Sequence, residues 1–420
     1  MLRYVNQQLF IEQTSCLELA KTYGTPLYVY SKKHIQAAFL NYQHIFNDFN
    51  PLVCYAVKAN SNLSILQYLA SLGAGFDIVS GGELQRVLLA GGDPDKIIFS
   101  GVNKSEDEIK LALTAGILCF NVESLSEIDR IQVVAKELNT VAPISFRVNP
   151  NVDAKTHPYI STGLKNNKFG IPYPDALATY LYAQKQSHLS IIGIDCHIGS
   201  QLLDLTPLNE AADKIFELVI QLKQKGIHLK HIDLGGGIGI PYKKDDPNPN
   251  YEDYARHITP FFQKNNGLQL VLEPGRSIIG NSGILLTKVD FIKHNQEKCF
   301  IITDAAMNDL LRPALYDSYH DIVPIVIHEN LSTVKADIVG PVCESGDCLG
   351  KNRTLAVQAG DYLAVKSAGA YAASMASHYN SRLIAPEILI DGDCHTMIKS
   401  RDTFEQVIQN EILFLQKVVK

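Results

Sequence analysis

A lysine stands at the end of the apolar run Val53-Cys54-Tyr55-Ala56-Val57-Lys58-Ala59-Asn60. Val53, Tyr55 and Val57 are strand formers, and so short a run between Pro51 and Asn60 suits an enclosed parallel strand that ends on Lys58. A cation there is costly to leave dry and unpaired. Either it reaches solvent from the strand terminus, or its pKa falls and the neutral amine becomes a nucleophile, the chemistry of Schiff-base lysines. Three more stretches suit the same kind of small molecule. His231-Ile-Asp-Leu-Gly235-Gly236-Gly237-Ile-Gly239 reads as a strand entering a glycine-rich turn, whose amides can surround an anion, phosphate above all. A simple tight turn would use the same glycines. No Gly-Lys-Ser/Thr follows, so it is no P-loop, and it lacks the dinucleotide pattern of a first strand with an acid about twenty residues on. Leu272-Glu273-Pro274-Gly275-Arg276 sets an acid, a forced turn and a guanidinium side by side, an arrangement that is often only structural. Cys196-His197-Ile198-Gly199-Ser200 ends another apolar run. Its histidine is equally compatible with a core position and with lying against a planar ring, within reach of a phosphate for Ser200.

These groups need a scaffold that gathers them. Strand-like runs recur at Val53–Ala59, Phe76–Ser80, Lys96–Gly101, Leu118–Val122, Ile144–Asn149, Ile191–Ile198, His231–Leu234 and Leu268–Glu273. Between them, segments such as Ser61–Leu72, Gly82–Ala90, Ser105–Ala115 and Thr206–Lys225 carry apolar residues at helical spacing, several opening on a capping serine or threonine. Strands alternating with helices imply a parallel sheet, and eight repeats close a (β/α)8 TIM-like barrel. A doubly wound open sheet is the alternative. The barrel is favoured because Lys58, Ser80, Gly101, Glu123, Arg147, His197, Gly235–Gly237 and Glu273 all fall at or just past the C-terminal ends of the runs, which a barrel brings to one face. Closure also sets the last two strands beside the first. An amine, a phosphate cradle and a buried acid then meet, the three contacts that pyridoxal phosphate requires. Lys58 would bond its aldehyde, the glycines would hold its phosphate, and Glu273 would keep its ring nitrogen protonated, deepening the electron sink.

The rhythm breaks near Ser282. Strand-like segments at Gly283–Ile292, Cys299–Thr303, Ile322–Val326, Val334–Val339, Asp361–Val365 and Glu387–Ile390 follow without regular helices, predicting a second, mostly β (sandwich- or barrel-like) domain. The expected division is a barrel over 31–281 and a β domain of 1–30 plus 282–420, with the Thr25–Tyr30 strand paired into the latter. Lys243–Asn250 is an exposed loop. Arg312–Tyr316, Gly340–Asp347 and Ala368–Tyr371 read as tight turns carrying reactive or charged groups, with Asp347 an ordinary turn residue.

Composition narrows the function classes. A chain of 420 residues predicts two or three domains with a substantial core. A net charge of −6 without a Lys/Arg cluster argues against nucleic acid. No apolar run approaches a membrane span, and Met1-Leu-Arg-Tyr lacks the layout of a secretory signal, so a cytoplasmic protein is expected. Eight scattered cysteines suit reduced thiols, and none has the spacing of a zinc site, so no metal is expected.

In combination, the stretches YAVKAN (55–60), HPYISTGLKNNKFGI (157–171), CHIGSQ (196–201), DLGGGIGIPY (233–242), EPGRS (273–277), RPALY (312–316), GPVCESGD (340–347) and GAYAASMASHYNSR (369–382) resemble the fold-type III pyridoxal-phosphate decarboxylases, within them the branch acting on diaminopimelate. The resemblance runs from about Thr25 to about Thr403 without a departure at a functional position. It implies pyridoxal 5′-phosphate as cofactor and conversion of meso-2,6-diaminopimelate to L-lysine and CO2. By this resemblance Lys58 matches the Schiff-base lysine, His197 the ring-stacking histidine, Gly235, Gly236 and Gly237 the phosphate loop with Ser200 and Gly275 beside it, and Glu273 the partner of the pyridine nitrogen. Arg276, Arg312 and Tyr316 match substrate-binding positions, Arg276 also reaching the phosphate. Cys343 matches the proton donor, Glu344 a substrate contact, and Tyr371 a position touching cofactor and substrate. A homodimer with shared active sites is implied as well. The residues allow the same machinery to act on ornithine, arginine or carboxynorspermidine, or to bind the cofactor without turnover. Ornithine, however, offers only a distal ammonium, whereas diaminopimelate offers a second amino-acid head, which Arg312 (with Tyr316) and Glu344 could grip through charges of both signs.

Overall fold

The computed structural model describes residues 1–49, 51–154, 162–163 and 167–415. Most of the motif at 157–171, residues 157–161 and 164–166, therefore lies outside the described residues. The chain divides into two compact units, one of Gln36–Pro241 with Asp245–Ile278, the other of Met1–Ile35, Tyr242–Lys244 and Ile279–Lys420. Tyr242–Lys244, inside the stretch expected to be all barrel, groups with the second unit.

The first unit is a closed barrel. Its strands run Leu52–Ala56, Gly75–Ile78, Ile97–Phe99, Cys119–Val122, Ala142–Asn149, Leu189–Asp195, His231–Asp233 and Gln269–Leu272. Each pairs in parallel with the next, and the ring closes where Val271 and Leu272 meet Leu52 and Val53. Helices follow the strands, and their starts are written locally. Ser80, Ser105 and Ser124 accept hydrogen bonds from the amides of Glu83, Glu108 and Glu127, and Glu108 completes a capping box. Ser80, counted by sequence among the chemical strand ends, thus works as a helix cap. Asn250, at the end of the polar loop, caps the helix Tyr251–Lys264.

Leu52, Cys54, Ile98, Cys119, Ile192 and Val271 pack together as an apolar layer inside the ring. Because side chains alternate along a strand, the residue two positions on faces the same way. Stepping on from Cys119, His231 and Val271 reaches Asn121, Asp233 and Glu273, all buried. The barrel interior therefore changes from apolar to acidic at its C-terminal mouth. Gly193 has to be glycine for this packing, since a Cβ there would lie 2.0 Å from the His231 ring.

In the second unit the strand Gly283–His294 is central, antiparallel to Leu27–Ser31, Tyr362–Val365 and Cys299–Thr303. Glu387–Asp391 adds in parallel beside Leu27–Ser31. Alternate residues, Leu27 and Val29, Ile284 and Leu286, Ile388 and Ile390, form one core with Leu9, Ile11 and Leu19. A small hairpin of Leu2–Val5 and Gln8–Ile11 and the strand Cys348–Leu355, neither foreseen, complete the sheets. Among the described residues no helix is long and apolar enough to cross a membrane.

Candidate active site

The first strand stops at Ala56, and Lys58 sits on the 3-10 turn Val57–Ala59 rather than on the strand itself. The cause lies across the ring closure: the Ala56 amide donates to the Pro274 carbonyl at 3.1 Å, and a proline has no N–H to continue the ladder. The turn aims the amine inward. Lys58 Nζ lies 2.6 Å from Asp77 Oδ2, the lysine side chain 36% exposed and the aspartate wholly buried. A second strand that carries an acid in its apolar run was the sequence signal for Asp77, and it was missed.

The glycine turn is wedged between the two neighbouring strand ends. A Cβ on Gly235 would come 2.6 Å from the Cys196 carbonyl, on Gly236 2.1 Å from the Glu273 carbonyl, and on Gly237 2.4 Å from the Gly199 carbonyl. Gly235 and Gly237 also hold φ of 66° and 99°, values that favour glycine. Asp233 fastens the turn by accepting from the Gly235 amide at 2.8 Å. The Gly236 amide donates to His197 Nδ1 at 3.1 Å, which leaves the imidazole proton on Nε2. Burial, then the charges of Arg147 and Lys58, hold His197 well below the usual histidine range, so the ring is neutral. Beside the turn, Arg276, itself buried, donates to Ser200 Oγ at 3.1 Å. Gly275 backs onto Ala56 and Ala59, where a Cβ would meet both side chains at 3.1 and 3.0 Å. Lys58, His197, Ser200, Gly235–Gly237, Glu273, Gly275 and Arg276 are therefore gathered at one mouth of the barrel.

Glu273 is buried, and its Oε1 accepts from Ser100 Oγ and Asn121 Nδ2, each at a long 3.4 Å. Carboxylate oxygens of Asp195, Asp233 and Glu273 lie within 4.8 Å of one another. Burial first, then Asp233, Asp77 and Asp195, push Glu273 well above the ordinary carboxylate range, while Lys58 pulls the other way. Asp233 is pushed from 3.8 to about 7, by burial and by Asp77, against the Gly235 amide. The folded protein thus keeps on Asp233 a proton that the unfolded chain releases near pH 4, so stability falls as pH rises from about 4 to about 7. Asp233→Asn, whose Oδ1 can still accept from Gly235, removes that loss. Chemical denaturation of the cofactor-free protein is expected to show the variant gaining on wild type across this window; parallel curves would refute it.

The other strand ends have structural partners. Glu123 takes Arg147 at 3.2 Å and the Gly170 amide at 2.9 Å. Lys104, fully buried, donates to the Gly101 and Asn121 carbonyls and to Glu127.

In the second unit, Arg312–Tyr316 is a one-turn helix, not the expected tight turn, because Pro313 suits a first helical turn. Arg312 is buried, with Tyr316 half-buried. Its NH1 donates to Tyr242 Oη at 2.7 Å and to His320 Nε2 at 2.9 Å, and its NH2 to Ser318 Oγ at 3.3 Å. Cys343 and Glu344 are exposed on a loop clasped by Asp347, which accepts from the Val342 and Met307 amides at 2.8 and 2.7 Å. The Cys343 amide donates to Asn380 Oδ1 at 3.1 Å, and Glu344 Oε2 accepts from Tyr379 Oη at 2.9 Å. Tyr371 is half-buried with φ of 56°, an uncommon value for a bulky residue.

The barrel mouth fits pyridoxal phosphate: one amine, a backbone cradle that side chains could not occupy, a serine and a guanidinium beside it, a neutral imidazole, and a buried acid. Residues 32–280 match the family model for the pyridoxal-binding domain of pyridoxal-dependent decarboxylases. The chain is 58% identical to diaminopimelate decarboxylase of Neisseria meningitidis serogroup B, over 97% of this chain and 98% of that one. It is 51% identical to the Pseudomonas aeruginosa diaminopimelate decarboxylase, over 98% and 99%. The crystal structure of Helicobacter pylori diaminopimelate decarboxylase complexed with L-lysine superposes with a TM-score of 0.91 at 46% identity, covering 95% of this chain and 100% of that one.

Proposed function

The chain belongs to the pyridoxal-dependent decarboxylases, and on that premise we propose that it converts meso-2,6-diaminopimelate to L-lysine and CO2, the last step of lysine synthesis. The observation that carries this reading is the similarity, over nearly the whole of both chains, to relatives named for that reaction.

Pyridoxal phosphate, when bound, supplies the sink for the electron pair left on the α carbon as CO2 departs. The chain's residues do the rest. Lys58 presents the amine that anchors the aldehyde, kept at the mouth by Asp77. Gly235–Gly237, Ser200, Gly275 and Arg276 would hold the cofactor's phosphate. His197, neutral with its proton on Nε2, would lie against the cofactor ring without adding charge. Glu273 would face the ring nitrogen and keep it protonated. Arg276, Arg312 and Tyr316 are each assigned to substrate binding, Glu344 to the distal ammonium, and Tyr371 to a contact with cofactor and substrate. Once CO2 has left the D centre, Cys343 delivers its thiol proton to the α carbon in its place, and solvent returns a proton to the thiolate. We place the Cys343–Glu344 loop in the partner subunit's barrel, in a cytoplasmic homodimer with shared active sites.

The distal head decides between substrates. Losing one partner of a desolvated charge pair costs on the order of 2–5 kcal/mol, enough to exclude a diamine precursor such as ornithine. Release of CO2 from meso-diaminopimelate, ornithine, arginine and carboxynorspermidine is the direct measurement. The expected result is turnover of the first alone; faster release from any of the other three would remove the assignment.

A further inference from the structure

His320 is wholly buried, and the reaction as described gives it no task. Both of its ring nitrogens are engaged. Nδ1 lies 2.9 Å from the Lys366 carbonyl oxygen, and Nε2 lies 2.9 Å from Arg312 NH1. A carbonyl only accepts and a guanidinium only donates, so the proton is on Nδ1 and the lone pair on Nε2 faces Arg312. The partners therefore specify a neutral ring in one tautomer. Tyr242 completes the setting: its hydroxyl takes the same guanidinium nitrogen, its ring lies under the guanidinium at 4.8 Å, and it meets the His320 ring edge-on at 5.1 Å. With Ser318 on NH2, these contacts fix the guanidinium plane.

We propose that His320 is a positioning residue for Arg312, whose neutral Nε2 holds the guanidinium edge-on to a ligand carboxylate and lets go of it when the ring is protonated. This rests on reading Arg312 as the grip on the distal carboxylate. A second proton on the ring would point an N–H at an N–H across 2.9 Å. The surroundings oppose that charge. Arg312 faces the ring from its short helix, and Arg353 donates to the His320 backbone carbonyl at 2.9 Å from the strand Cys348–Leu355. Lys366, whose carbonyl takes Nδ1–H, has its ammonium 2.7 Å from Asp321. Lys243, next to Tyr242, lies 5.3 Å over the Tyr319 ring. Acidification strong enough to charge the ring should release Arg312 and weaken carboxylate binding. Events at the reacting amine stay as they were. The signature is a rise in KM with kcat held.

Calorimetry on the cofactor-loaded protein tests this with two ligands. L-Lysine keeps the distal carboxylate, and 1,5-diaminopentane lacks it. His320→Phe keeps the ring and loses the acceptor, and a lost hydrogen bond to a charged group predicts about 10- to 100-fold weaker L-lysine binding. Diaminopentane binding is expected to stay within about twofold. His320→Gln places a non-titrating oxygen where Nε2 stood. It should bind L-lysine like wild type, without the loss that wild type shows once the pH falls below the ordinary histidine range, about 6.5. Equal weakening of both ligands in His320→Phe would make the ring a packing residue and overturn the proposal, as would coincident pH profiles for wild type and His320→Gln. Should His320→Phe fail to fold, the glutamine profile still decides. Arg312→Met separates the premise: unchanged L-lysine affinity there refutes the reading of Arg312, whereas its loss with normal binding in His320→Phe refutes the role of His320 alone.

Discussion

Lys58→Ala is expected to lower turnover by about four orders of magnitude or more and to abolish the near-visible absorbance of the cofactor-loaded protein. The expectation follows from what else lines the mouth. Lys58 holds its amine against Asp77 from the turn after the first strand, while Lys104 is committed to two carbonyls and Glu127. The substitution also strips Asp77, wholly buried, of the ammonium 2.6 Å from its Oδ2. A loss of stability could therefore pass for a loss of chemistry. Lys58→Ala combined with Asp77→Asn keeps the two apart, because the amide needs no counter-ion. The double variant is expected to melt closer to wild type and to stay inactive. Retention of the absorbance band, or recovery of turnover in the double variant, would remove Lys58 from its role.

Cys343→Ala is expected to leave cofactor binding intact and to reduce kcat by about 10²–10⁴-fold, the range for loss of a positioned proton donor. The loop is held by its backbone and not by the thiol. The Cys343 amide bonds Asn380, and Asp347 pins the amides of Val342 and Met307. Within its own chain Cys343 is exposed, so alanine sacrifices no packing there. Thermal stability and the cofactor spectrum should therefore match wild type, and the defect should fall on kcat with little change in KM. Turnover near the wild-type rate would pass the donor role to another group.

Much of the barrel was legible because its code is local. Strand-length apolar runs alternate with helical spacing, and Ser105 and Glu108 write a helix start that needs no distant partner. The boundaries drifted where a distant partner intervened, as at Ala56, where the Pro274 turn ends the strand before Lys58. The β unit was less legible. Its first hairpin turns through Asn6 and Gln7, both at positive φ, without the glycine that marks such turns in sequence. The strand Cys348–Leu355 is polar through its middle, and its pairing with Val334–Val339 shifts register twice, so alternation does not announce it.

Residue types and spacing were enough to single out an amine, an anion cradle and an acid at successive strand ends, since period two and strand order depend only on neighbours along the chain. Depth and partnership were decided by the tertiary structure. Asp77, Asp195 and Asp233 read as ordinary acids until the ring closes and removes water from around them, and only then does Glu273 acquire neighbours that raise its proton affinity. Likewise Arg312, His320 and Tyr242 become one assembly because Tyr242–Lys244 joins the second unit, not the barrel that flanks it in sequence. The energy of a buried charge depends on what stands across from it in space, and one-dimensional spacing does not contain that information.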